Sequence, residues 1–83
     1  MPTVATIDGI KIKLYWDEHP PSHFHAEYGE YRAIIAIDSL EILEGYIPRP
    51  QYRKVVAWAN SRKTKLLDAW IKCQSDLNPG KIA

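Results

Sequence analysis

Two short reversals, each set between strictly alternating apolar and polar residues, constrain this chain more than any other feature. The first is Asp8-Gly9, a pair suited to a two-residue hairpin turn because such turns need positive φ at their centre. After it, Ile10, Ile12, Leu14 and Trp16 point one way and Lys11, Lys13 and Tyr15 the other, the period of a strand with one buried face. A two-residue turn sets Ile7 opposite Ile10 and Ala5 opposite Ile12, so both strands offer apolar side chains to the same side. The second reversal is Gly29-Glu30. It sets Tyr28 against Tyr31, Ala26 against Ala33 and Phe24 against Ile35 on one face, and Glu27 against Arg32 on the other. Since a slip of one residue would turn every side chain over, a register that satisfies both faces is strongly specified.

A third turn at Asp38-Ser39 leads to a short strand, Leu40 to Glu44, stopped by Gly45. Its pairing sets Leu40 near Ile37 and Ile42 near Ile35. Pro48-Arg49-Pro50 then opens a helix with Pro50 at its first position. Tyr52, Val56, Ala59, Leu66, Trp70 and Cys73 recur at helical spacing. The expected fold class is α+β in two layers, an antiparallel meander of four to five strands packed on one long, or kinked, C-terminal helix. It is a single domain over residues 1–83, with the meander in 1–45 and the helical part in 48–78.

That helix raises a problem of length. From Pro50 to Leu77 it would run roughly 40 Å at about 1.5 Å per residue, whereas a seven-residue strand spans about 23 Å. It therefore overhangs its sheet or breaks near Asn60-Ser61. If it overhangs, Leu66, Leu67, Trp70 and Ile71 have no cover within one chain and form an interface for a partner or a second copy. If it breaks, a helical hairpin buries that patch internally.

The formal charge of +1 gives the molecule no strong overall field for nucleic acid or acidic membrane. No apolar run approaches the ~20 residues of a membrane span, and no secretory leader is visible at the N-terminus. The lone cysteine, Cys73, has no internal disulfide partner. A cytoplasmic protein, stabilised by a partner, a dimer or a metal, is the expectation.

Chemistry concentrates between Asp17 and Gly29, DEHPPSHFHAEYG, which holds all three histidines of the chain. Pro20 and Pro21 favour a stiff, extended loop that holds His19 near the next strand. On the polar face of the sheet lie Lys11, Lys13, Tyr15, His23, His25, Glu27 and Arg32, and the expectation is that the histidines stand on the side opposite the helix. Three readings follow. In the first, His19, His23, His25, Glu27 and Arg32 are catalytic in a metal-independent, ribonuclease-like site. Histidine moves protons near neutral pH and cationic groups hold a phosphate, while Lys11, Lys13 and Tyr15 bind the RNA substrate; no cofactor is then expected. In the second, His19, His23 and His25 hold zinc or another transition metal, with Asp17 or Glu18 nearby. In the third the cluster is structural: His19 and His23 hydrogen-bond backbone freed by the prolines, His25 packs beside Tyr15, and Glu27–Arg32 is an ordinary cross-strand pair. Trp16, Trp58 and Trp70 read as core or interface aromatics, and the Arg53, Lys54, Arg62, Lys63, Lys65 group as a solvated helix face.

The stretch DEHPPSHFHAEYGEY, followed by an isoleucine-rich strand, LEILEG, and a helix containing AWA and DAW, resembles the small prokaryotic family classed as domain of unknown function four-one-six-zero. The resemblance runs from about Ile10 to Gln74. It implies a small protein encoded beside a second small protein, in pairs similar to toxin–antitoxin modules, and it transfers no catalytic residue. Ser22 stands where similar sequences often have proline. The resulting expectation is the small component of such a pair, acting on RNA through the histidine face. The alternative is a non-enzymatic interaction module, with or without a metal, whose helix contacts a partner or a second copy.

Overall fold

The computed structural model describes residues 3–83. Five strands come first, β1 (Thr3–Ile7), β2 (Ile10–Lys13), β3 (His23–Tyr28), β4 (Tyr31–Ala36) and β5 (Ile42–Tyr46), followed by two helices, α1 (Arg49–Asn60) and α2 (Lys63–Gln74). The strands form one antiparallel sheet in sequence order. The α+β meander is therefore as expected, but one long helix is not what the chain builds.

The registers follow the turn chemistry. Ile7 pairs with Ile10 and Ala5 with Ile12, across a turn in which Asp8 and Gly9 have φ of 44° and 82°. At the second hairpin Phe24, Ala26, Glu27 and Tyr28 face Ile35, Ala33, Arg32 and Tyr31. Here only Gly29, at φ 58°, has positive φ, the glycine-first form of the two-residue turn.

The last strand differs from expectation. It runs from Ile42 through Gly45 to Tyr46 and retains the Ile35–Ile42 pair, but Leu40 lies in the preceding turn at φ 62°. Its amide donates to the Ala36 carbonyl at 2.8 Å and its side chain is buried, so the turn is longer than two residues. Gly45, at φ 85°, takes a position where a Cβ would collide with the Arg32 carbonyl.

One face of the sheet carries Ile10, Ile12, Leu14, Phe24, Ala26, Ala33 and Ile35, which pack with Val55 and Ala59 of α1 and Leu66, Ala69 and Cys73 of α2. Each large side chain so buried contributes roughly 1.5–3 kcal/mol. Trp16, expected on this face, is instead exposed. The ladder ends at Lys13 and the chain turns at Asp17, φ 59°, which carries Trp16 off the sheet.

The helical run breaks at Ser61 and Arg62, where polar Asn60 and Ser61 favour a turn over another helical residue. Arg62 braces the corner. Its amide donates to the Ala59 carbonyl at 2.9 Å and its guanidinium to the Trp58 carbonyl at 2.9 Å. Folding back at this corner corrects the proposed four-residue interface. Leu66 and Trp70 are buried, whereas Leu67 and Ile71 are exposed. Only the latter two can belong to an outward surface. The tail after α2 returns along β1, with the Ile82 amide donating to the Val4 carbonyl at 2.8 Å. Among the described residues, no helix is long and apolar enough to cross a membrane.

Candidate metal centre

The candidate site grows from the start of β3. Alternation puts Phe24 into the core and His23 and His25 on the other face, with ring centroids 5.4 Å apart. That face is not wholly uncovered. α2 brings Trp70 to 4.8 Å from the His23 ring, and His23 is only 7% exposed. The expectation that both imidazoles stand clear of the helices thus holds for His25, which packs edge-on to Tyr15 at 4.3 Å, and fails for His23.

The loop ahead of β3 supplies the third group. The chain bends at Pro20 and Pro21, so this stretch is not the extended polyproline segment its composition suggests. After the turn at Asp17, the Glu18 carboxylate lies over β3, while His19 is exposed and takes no part. Glu18 occupies the place expected for His19.

The Glu18 Oε1 oxygen makes a short contact with His25 Nε2 and lies 3.2 Å from His23 Nε2. His23 has its tautomer fixed from the other side, because Nδ1 sits 2.7 Å from the Pro21 carbonyl. A carbonyl only accepts, so the proton is on Nδ1 and neutral His23 presents a lone pair at Nε2. That Nε2 is sealed from solvent and has no hydrogen-bond partner among the described residues. Glu18 Oε1 is close enough, but the angle makes no bond. A buried lone pair facing a carboxylate oxygen is costly unless a cation lies between them. Glu18, His23 and His25 each offer one ligand atom, and these atoms all lie within 4.8 Å of one another. Burial opposes ionisation of Glu18, but its contacts, with His25 first and His23 second, outweigh it and hold the carboxyl below its ordinary range.

A second polar group lies farther along the same face. Glu27 accepts from Lys13 Nζ at 3.0 Å on one oxygen and from the Tyr15 hydroxyl at 3.3 Å on the other. The Lys13 bond above all holds the Glu27 carboxyl below its usual range. Burial, then the Glu27 charge, raises the Tyr15 phenol. Arg32 is the cross-strand neighbour of Glu27, yet it makes no ion pair among the described residues. Lys11 is exposed and stands apart. Beside this group an open groove of about 360 Å³ is lined by Tyr15, His25, Glu27, Arg32 and Glu44, with Gly45 at its wall.

Of the residues expected to act, His23 and His25 come together, Glu27 joins Lys13 and Tyr15, Arg32 borders the groove, and His19 and Lys11 fall outside. Sequence reasoning missed the parts played by Trp70, Glu44 and the Pro21 carbonyl. Only the helical stripe gave a signal for Trp70, and it pointed to the core rather than to a histidine.

No curated protein and no solved structure shows significant similarity to this chain. A family model does match it, over residues 9–71. That span takes in β2 to β5, the loop before β3, α1 and most of α2, and the chain belongs to the family described as domain of unknown function (DUF4160).

Proposed function

We propose that Glu18, His23 and His25 form a three-ligand centre for a divalent transition metal, with zinc the best match. Two imidazole nitrogens and one carboxylate oxygen are the donor set of an open, catalytic-type zinc site, in which a fourth position takes water or substrate. A bound ion of this kind polarises an oxygen ligand and lowers the pKa of its water. The observation that carries the reading is the sealed Nε2 of His23, 3.2 Å from Glu18 Oε1 and with no hydrogen-bond partner among the described residues. The Pro21 carbonyl at Nδ1 is the outer partner that ligand histidines commonly have, fixing tautomer and ring orientation. Tetrahedral bonds of about 2.0–2.1 Å set ligand atoms roughly 3.3 Å apart. The Glu18–His23 spacing of 3.2 Å already suits this, and the closer Glu18–His25 contact opens slightly to admit the ion.

The test is metal content of the purified full chain after dialysis against trace zinc, with melting temperature measured in parallel. About one equivalent, lost in His23→Ala and His25→Ala, is expected. A chain that retains none and melts at the same temperature with and without zinc refutes the centre.

A second reading rests on the Glu18–His25 contact itself. A carboxylate-backed imidazole beside Lys13 and Arg32 is equipped for metal-independent acid–base chemistry on RNA. In that reading the protein is one half of a two-protein, toxin–antitoxin-like pair, and Leu67 and Ile71, exposed on α2, face the second protein or a second copy. RNA cleavage that persists in excess chelator and disappears in His25→Ala supports it. Loss of cleavage on chelation returns the choice to the metal centre.

A further inference from the structure

We infer that Arg32 anchors a phosphate ester whose oxygen reaches the open position of the Glu18–His23–His25 centre. This rests on the metal reading and names its substrate class. Lys13 is bound to Glu27 at 3.0 Å, and the Tyr15 hydroxyl takes the other Glu27 oxygen at 3.3 Å. Lys13 keeps further donors, but its charge is already paired with Glu27. Arg32 is different. Its partner across the hairpin is Glu27, whose two oxygens already accept from Lys13 and Tyr15, and Arg32 borders the groove with no ion pair to a carboxylate among the described residues.

Its position relative to the centre follows from the ladder. His25 pairs with Ile34, so Arg32, two residues before Ile34, is the diagonal neighbour of His25 on the same face. Such neighbours stand about 7–8 Å apart, within reach of long side chains. An oxyanion between them meets the planar donor fork of Arg32 on one side and the metal on the other. A phosphate ester has enough oxygens to do both, whereas a carboxylate that fills the fork has none left. Gly45 adds no side chain to the wall, and the groove volume of about 360 Å³ falls within the ~300–1,000 Å³ range of small-molecule sites. Glu44 also lines the groove and opposes an anion there. It is exposed and limits affinity rather than blocking entry.

The experiment titrates the zinc-loaded full chain with phenyl phosphate and, in a separate arm, with a short single-stranded oligoribonucleotide, following heat. Zinc affinity is measured first on every variant. Binding in at least one arm is expected, and which arm responds distinguishes a small ester from a polymer. Arg32→Gln should weaken that binding about 10- to 100-fold, the value of a charge-assisted pair, with zinc affinity unchanged. Glu44→Gln should bind the same probe at least as tightly as the parent. A zinc-loaded chain that takes neither probe, or an Arg32→Gln variant that binds as well as the parent, overturns the phosphate proposal and leaves the metal centre intact. A chain that takes no zinc removes both.

Discussion

Two polar clusters share one face of the sheet, and they are built on opposite accounting of hydrogen bonds. Around Glu27 donors and acceptors match, with Lys13 and Tyr15 each giving one hydrogen to one carboxylate oxygen. Around Glu18 they do not. Two imidazole nitrogens converge on a single oxygen, and the buried nitrogen of His23 has no hydrogen-bond partner among the described residues. A matched cluster stabilises the sheet and asks for nothing more. On the proposed reading, the surplus lone pairs around Glu18 are satisfied by a cation, and the difference separates a structural group from a ligand site on the same face.

The most severe way to break that comparison is to add zinc. At about 100 times its dissociation constant, zinc should stabilise the parent by ~2.7 kcal/mol. For a domain of this size that corresponds to a rise of roughly 10–20 °C in melting temperature. Glu27→Gln should preserve the rise and His23→Ala should abolish it, as differential scanning calorimetry can show. Equal responses in the two variants would erase the distinction.

Next in size is the loss of the matched cluster itself. Glu27→Gln should cost about 1–2 kcal/mol in urea unfolding at neutral pH, because it removes a partly buried charge-assisted bond. The acid limb sharpens this. The folded-state pKa of Glu27 lies below the usual range. Its contribution is therefore fully present above the unfolded value of about 4.3 and is lost as pH falls through the lower folded value. Stability measured from pH 5 downward should fall less steeply in the variant than in the parent.

The smallest effect is the most discriminating. Glu18→Gln gives up the charge that favours His25 but offers an amide that can donate to the His23 lone pair, so the metal-free chain should change in stability by no more than ~1 kcal/mol. Its zinc affinity should nevertheless fall by roughly 100-fold or more, beyond what outer-sphere changes cause. A metal-free variant clearly less stable than the parent would mean that Glu18 is structural.

Much of this arrangement was legible in the residues themselves. The hairpin registers were, because Asp8-Gly9 and Gly29-Glu30 leave little choice of turn and alternation then sets every side chain's face. The pairing of His23 with His25 followed from the same period. The exclusion of His19 in favour of Glu18 was not legible, because that choice is made by Asp17 turning the chain with positive φ, and aspartate does so only in some contexts. Nor was the commitment of Lys13 and Tyr15 to Glu27, which depends on diagonal reach across β2 and β3 rather than on pairing. The helix break was readable as one of two outcomes. Length excluded a straight helix confined to its own sheet, but only packing decides whether Leu66 and Trp70 turn inward.

The contact between Trp70 and His23 has one more consequence. Of the three tryptophans in the chain, Trp70 is the one buried, and its indole lies 4.8 Å from the His23 imidazole. Any ion or proton arriving at that ring changes the electric field on a chromophore shielded from water. Filling of the proposed centre should therefore change the emission of Trp70, an optical readout that needs no dye or label.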